Sequence, residues 1–256
     1  MIRIKRTQPP PTSLAHQKTL KSGKYNCDDV KNQLHHDFHG KCYICESLLL
    51  DREVEHLLPH HDAKFPEREN FADEEEYNIA VIYWNRKFEW RNLFPACRHC
   101  NGLKGKQERN IIDCCKSNPE RVIRQKMNAA RVFVTPNNPD DPYENETAAL
   151  IQDCFMTTGS QHLDADARKR RLKIAISVIN RELEKYQDMK ANGDDVAIQL
   201  EFLRQLVQAD QEYAGFVRTE VRDCLDACPE LSPLVAFDSE KAEIEKENHI
   251  RTEVSV

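Results

Sequence analysis

No run of apolar residues in this chain approaches the roughly 20 needed to span a bilayer. The basic N-terminus Met1-Ile2-Arg3-Ile4-Lys5-Arg6 leads to Gln8-Pro9-Pro10-Pro11 without an apolar core, so it does not read as a signal peptide. Internal repeats and low-complexity tracts are absent. So is a Gly-x-x-x-x-Gly-Lys-Ser/Thr loop, which excludes ATP hydrolysis through that motif. Net positive charge is lacking too: the balance is −6, with 31% charged and 39% hydrophobic residues. These absences lead us to expect a soluble cytoplasmic protein without a membrane partner. In that compartment thiols stay reduced, and Cys-x-x-Cys favours metal over disulfide.

The net charge conceals an asymmetry. Residues 1–135 hold 23 Lys and Arg against 18 Asp and Glu, and residues 136–256 hold 14 against 25. A mildly basic first half suits a polyanion, whereas the acidic second half should be repelled by nucleic acid and more plausibly faces a protein. With 256 residues the chain can bury a real core, as one domain or two.

The spacing of apolar residues gives a coarse outline. Residues up to about 23 read as an extended arm. Val30, Leu34 and Phe38 predict a helix over 26–39 with Asn26 as N-cap. Residues 119–133 read as a short basic helix. The turn-rich Thr135–Pro142 marks a boundary. Beyond it two long helices are expected to form a hairpin. The first would be capped by Asp164 or Asp166, carry Leu172, Ile176, Ile179, Leu183 and Tyr186 on one face, and be broken by Gly193. The second would run from about Asp194 to Cys224 with Ile198, Phe202, Leu206, Tyr213, Val217 and Val221 inward. From Ser239 the tail reads as charged and frayed.

The strongest chemical signal is a pair of Cys-x-x-Cys motifs, Cys42/Cys45 and Cys97/Cys100, separated by 51 residues. Four thiolates suit zinc and leave it no open position, so the ion would be structural. The other six cysteines lack such a pattern, and Cys224 and Cys228 read as core. Closing the clamp would bring Glu55-His56, Asn92 and Asn101 towards one another. A carboxylate, an imidazole and amides suit metal-assisted hydrolysis of phosphodiesters.

Val54-Glu55-His56-Leu57-Leu58-Pro59, Trp90-Arg91-Asn92-Leu93 and Cys100-Asn101-Gly102-Leu103-Lys104 resemble the HNH endonuclease family in its His-Asn-Asn form. The resemblance covers about residues 41–107. It implies a zinc-bound ββα-metal nuclease core (41–135), which with the outline above gives an α+β, mostly helical chain with an N-terminal arm and helix (1–40) and a helical partner-binding region (136–256). It further implies His56 as general base and Glu55 and Asn101 as ligands of a catalytic Mg²⁺ or Mn²⁺. Asn92 would hold the loop that orients the base, and Lys104 and Lys106 would contact phosphate. His60 and His61 are expected to be bystanders, and His99 to point outward.

Two departures from the family pattern stand out. Glu replaces the commoner Asp at position 55. Thirty-five residues separate His56 from Asn92, and this insert carries the acidic run Asp73-Glu74-Glu75-Glu76.

The flanks Gln8–Pro11, Ser22–Tyr25 and Phe38–Glu46 look like the PtuB family of HNH effectors, found in Septu and retron-associated anti-phage systems. That likeness implies nucleic acid as substrate, with DNA favoured over RNA. It implies an ATPase partner resembling PtuA, docked through the acidic helices, and in some systems a retron reverse transcriptase with its msDNA. A tRNA-cleaving RNase and a catalytically silent zinc-stabilised interaction module are the competing readings.

Overall fold

The computed structural model describes residues 1–105, 110–129, 131–156 and 162–237. Within these the chain is α+β and mostly helical, with two small antiparallel sheets. No described helix is long and apolar enough to cross a membrane. The chain divides into two compact units. One is Ile4–Ile111; the other joins Met1–Arg3 to the chain from Ile112 onward. The division thus falls upstream of the turn-rich segment at 135–142.

In the first unit, helices α1 (Thr12–Lys18) and α2 (Asp28–Asp37) precede strand β1 (Glu53–His56). Helix α3 (Glu74–Lys87) then leads to strand β2 (Leu93–Ala96) and helix α4 (Arg98–Lys104). Val30, Leu34 and Phe38 of α2 and its end are buried as their spacing predicts. Cys27, not Asn26, takes the N-cap position, and Asp28 and Asp29 complement the helix dipole. Gly40 follows α2 at φ +68°, where a Cβ would lie 2.8 Å from the His35 ring, so only glycine fits without displacement.

The N-terminal segment differs from the extended arm expected of it. Residues 12–18 are helical, and Arg6 is anchored across the unit. Its guanidinium donates to the carbonyls of Trp90 (2.8 Å) and Leu93 (2.6 Å) and lies 4.4 Å from the Phe94 ring centroid. One side chain thereby satisfies backbone at the start of β2 and covers its aromatic face.

In the second unit, residues 123–136 form a hairpin and not the basic helix expected from 119–133. Strands β3 (Ile123–Asn128) and β4 (Arg131–Pro136) pair from Ile123↔Pro136 to Asn128↔Arg131. The decisive pattern has a period of two. Ile123, Gln125 and Met127 face inward, as do Val132 and Val134. Arg124 and Lys126 lie on the other face and reach Asp223 at 2.5 and 2.6 Å. Ala129 takes the turn at φ 53°.

Helix α5 (Pro142–Met156) follows, its first turn capped by Asp141, whose Oδ1 accepts from Tyr143 N and Glu144 N. Helix α6 (His162–Asn192) begins before Asp164 and Asp166, ends at Gly193, and buries all five of its expected apolar positions.

The second long helix is two helices, α7 (Ala197–Leu206) and α8 (Ala214–Asp223), separated where Tyr213 adopts a left-handed conformation at φ 59°. The inward face of α7 also differs from expectation. Ile198 is 86% exposed, whereas Gln199 is buried because its amide donates to the Glu182 carbonyl and carboxylate. The core gathers Ile179, Leu183, Tyr186, Leu203, Val217, Val221 and Cys228, with Cys224 packed against it. The tail from Ser239 lies outside the described residues.

Candidate active site and metal centre

The four motif cysteines converge. Their sulfur atoms all lie within 4.8 Å of one another, and no disulfide joins them. A zinc tetrahedron with Zn–S bonds of about 2.3 Å has edges of roughly 3.8 Å, and the Cys45–Cys97 separation is 4.0 Å. This cluster is able to hold a metal such as zinc.

Its geometry follows from two local turns. Cys42 and Cys45 sit in a knuckle closed by Cys42 N→Ser47 O and Glu46 N→Cys42 O, both 2.9 Å. Cys97 directly follows β2 and caps α4, its sulfur accepting from Cys100 N. Neighbouring thiols pull the Cys97 pKa strongly down, while burial drives that of Cys42 up. Tyr43 N donates to Pro95 O at 2.9 Å, tying the knuckle to β2.

Strands β1 and β2 pair antiparallel, Glu53↔Ala96 through His56↔Leu93, and β2 runs directly into α4. His56 therefore sits at the last residue of a strand fixed to the cysteine-anchored helix. Its ring is buried between Tyr25 and His60, each centroid 4.4 Å away.

Nε2 lies 3.0 Å from the Lys87 carbonyl oxygen. A carbonyl only accepts, so Nε2 carries the proton and Nδ1 keeps the lone pair. Lys87 is the last residue of α3, where carbonyls have no intrahelical partner. The insert between His56 and Asn92 thus supplies the group that selects the imidazole tautomer. Its acidic run has a local role as well. Asp73 caps α3 through Glu76 N at 2.9 Å, and Glu74–Glu76 occupy the dipole-favoured first turn. Burial lowers the His56 pKa to about 3, so the ring is neutral at physiological pH.

Asn92 is 5% exposed and fully engaged. Its Oδ1 accepts from Leu58 N (2.7 Å), and its Nδ2 donates to Leu58 O (2.9 Å) and Arg86 O (3.2 Å). It joins the turn after His56 to the end of α3. Asn101, one position past the last cysteine, is half-buried on α4, with Nδ2 3.4 Å from Glu53 Oε2.

Glu55, His56, Asn101 and Lys104 line one cavity of about 610 Å³. The sequence reading did not single out Tyr25, Glu53, Asp62 and Arg98, which line it too. Glu53 was legible in principle, because it precedes Glu55 by two residues and a strand puts both on one face. His60, expected to be a bystander, meets the His56 ring edge-on. His61 and Asp62, which both have left-handed backbone (φ 49° and 54°), also border the cavity.

Lys104 is not placed to meet a phosphate. It is 1% exposed, and its Nζ donates to Glu55 Oε1 at 2.6 Å and to the His56 carbonyl at 2.8 Å. Burial raises the Glu55 pKa, and the Lys104 ammonium opposes that rise. Lys106 lies outside the described residues. His99 is buried at 4% exposure instead of pointing outward.

No family model and no solved structure matches the chain. Among curated proteins, a stretch of 66 residues is 36% identical to the Septu protein PtuB of Bacillus thuringiensis. The match covers 26% of this chain and 20% of that protein.

Proposed function

We propose that the chain is a divalent-metal-dependent endonuclease of the HNH type, with His56 as general base, acting as an effector of anti-phage defence. One observation carries this reading. A neutral imidazole, the Glu53 and Glu55 carboxylates of the same strand and an amide share one cavity on a strand–strand–helix unit that four cysteines brace. The similarity to PtuB supports the defence role.

The donor sets fit two different metals. The thiolate cluster suits zinc and would leave it coordinatively closed, hence structural. Carboxylate and amide oxygens suit Mg²⁺ or Mn²⁺, with the family reading naming Glu55 and Asn101 as ligands. A divalent ion bound there supplies charge neutralisation at the scissile phosphate and at the leaving 3′-oxygen.

The chain's own residues do the remaining work. His56 Nδ1 takes a proton from the attacking water, and the Lys87 carbonyl keeps Nε2 protonated so that the lone pair stays on Nδ1. Asn92 fixes the turn behind the ring. The Lys104 ammonium opposes the rise in pKa that burial imposes on Glu55.

DNA is the favoured substrate. The helical region beyond residue 136, acidic by composition, is the candidate dock for an ATPase resembling PtuA, and a retron reverse transcriptase with its msDNA is a further associate in this scheme.

The test is cleavage of plasmid DNA and, in parallel, total RNA with Mg²⁺ or Mn²⁺. Wild type and His56→Ala are compared with and without a copurified ATPase at low salt, since phosphate contacts weaken steeply as salt rises. Metal- and His56-dependent nicking of DNA is expected. Cutting of RNA alone would move the substrate to RNA, and absence of any His56-dependent cutting would leave a zinc-stabilised interaction module.

A further inference from the structure

The insert that steadies His56 also encloses a second cavity, of about 1050 Å³, which the catalytic scheme does not use. One face of α3, carrying Glu76, Ile79, Ala80, Tyr83, Trp84 and Lys87, forms its wall at helical spacing. Phe65 and Phe71 from the insert and Lys21 from the loop after α1 complete it. A helix face of this kind ordinarily turns inward and buries its apolar residues. Here Ile79 remains 45% exposed, and Tyr83 is only half-buried, its ring 4.5 Å from that of His61.

This cavity adjoins the catalytic one. His61 and Asp62 line both, on a turn closed by Ala63 N→His60 O at 2.9 Å. Two residues span at most about 7 Å, so a strand whose phosphate lies in the catalytic cavity reaches the second with its next nucleotide. Lys87 links the two as well. Its carbonyl holds His56 Nε2, while its side chain borders the second cavity with Nζ 4.6 Å from the Trp84 ring centroid. The charges lining the second cavity balance: Lys21, Lys64 and Lys87 stand against Asp62, Glu67 and Glu76. Lys21 and Glu67 form an ion pair, and Glu76 Oε2 accepts from Ala72 N at 3.3 Å. Such a wall offers no net attraction to phosphate. It offers apolar and aromatic surface with donors and acceptors beside it, which is what an unstacked base requires.

We propose that this cavity takes an unpaired base of the strand being cut, from the nucleotide next to the scissile phosphate. A paired base is stacked in its duplex and has to leave it to enter any pocket, at a cost that single strands avoid. The chain therefore selects single-stranded or locally unpaired nucleic acid over a continuous duplex. This selection rests on the nuclease reading and names the form of substrate for that same site. Stacking of a base is common to DNA and RNA, so the sugar is decided separately.

The test is fluorescence anisotropy of labelled oligonucleotides on the zinc-loaded full chain at low salt, without Mg²⁺ or Mn²⁺. The probes are single strands of DNA and RNA of one sequence, their duplexes, and an abasic strand that keeps the phosphates and lacks the bases. Wild type is compared with Tyr83→Leu, which removes the aromatic face, and with Ile79→Glu, which puts a charge on the wall at an exposed position. Zinc content and duplex binding check that each variant is folded. We expect wild type to bind the DNA or the RNA single strand at least about tenfold more tightly than its duplex, as the cost of extruding a base requires. Tyr83→Leu should weaken that binding at least about fivefold, the loss of one base–aromatic stack, and leave the abasic strand within about twofold. Equal wild-type affinity for single strand and duplex overturns the proposal, as does unchanged single-strand affinity in both variants. A wild type that cleaves nucleic acid yet is indifferent to Tyr83 and to loss of the bases would sink the base pocket and leave the nuclease reading standing. A wild type that neither binds nor cuts any of these probes, with metal and the copurified ATPase added, would overturn the nuclease reading with it.

Discussion

Replacing Lys104 by methionine probes the electrostatics of the site most directly. Methionine preserves most of the volume and removes the ammonium bonded to Glu55 Oε1. At 2.6 Å the pair's gross attraction is about 6 kcal/mol with an effective dielectric of about 20. Desolvation has already consumed most of that, so the net worth of the pair is small. Breaking it is another matter, because the surviving carboxylate is 11% exposed and cannot recover its hydration. Removing one member of a buried pair costs about 3–5 kcal/mol, which we expect for Lys104→Met.

Protonation of Glu55 is the variant's relief. Without the ammonium the folded-state pKa of Glu55, already raised by burial, rises further above its unfolded value. The folded state then binds more protons than the unfolded state above the ordinary carboxylate range, so stability increases as pH falls. The deficit should accordingly be smaller at pH 5 than at pH 8.

Urea unfolding followed by tryptophan fluorescence isolates the right unit, since Trp84 and Trp90 both lie within Ile4–Ile111. Adding Glu55→Gln should recover most of the loss. A single variant within about 1 kcal/mol of wild type, or a double variant no better than the single, would refute the buried-pair argument.

Chelation of the cysteine-bound metal, or Cys97→Ser, should destabilise the same unit strongly, because metal affinity at such a site is folding free energy; unchanged melting with full zinc content would refute the clamp. Asn92→Ala should cost about 1–3 kcal/mol by taking the amide away from the partly buried Leu58 N and Leu58 O, read from the same fluorescence transition. Retention of wild-type stability in that variant would mean water replaces the amide without penalty. His56 should show no NMR titration between pH 5 and 8, its folded pKa being about 3. The unfolded chain takes up that proton near pH 6.5, so this histidine's contribution to stability is intact above 6.5 and declines as pH falls towards 3. A midpoint near 6.5 in the folded protein would contradict the burial argument.

Legibility of the fold tracked how local each signal was. The two Cys-x-x-Cys pairs, the α2 face of Val30, Leu34 and Phe38, and the α6 stripe from Leu172 to Tyr186 all rest on periodicity or spacing that needs no distant partner. Errors came where a tertiary neighbour decided. Arg124 and Lys126 made 119–133 look like a basic helix, yet they are the outward face of a strand and bond to Asp223, almost a hundred residues on. Gln199 displaced Ile198 from the inner face because Glu182 offers it two acceptors. The Pro-rich start looked like an extended arm because nothing nearby in sequence announces the Trp90 and Leu93 carbonyls that Arg6 serves. Lys104 invited a phosphate contact through its place after Asn101, whereas its burial depends on the strand that α4 covers.

The long insert is where sequence and site diverge most, and its role explains the divergence. A minimal hairpin would connect β1 to β2 directly and would offer His56 Nε2 no fixed acceptor. Here α3 ends with the Lys87 carbonyl 3.0 Å from that nitrogen, while the Arg86 carbonyl accepts from Asn92. Asn92 in turn holds Leu58, two residues past His56. The turn after His56, the end of α3 and the start of β2 therefore form one closed set of hydrogen bonds around the imidazole. An acidic helix that reads as a surface addition is, at its other end, the support of the proposed general base. Shortening α3 by one turn while keeping Asp73 as its cap should release the Nε2 proton constraint and shift His56 towards a mixed tautomer, visible in its ring nitrogen chemical shifts. Retention of a pure Nε2–H form in that variant would show that the ring is oriented by Tyr25 and His60 alone.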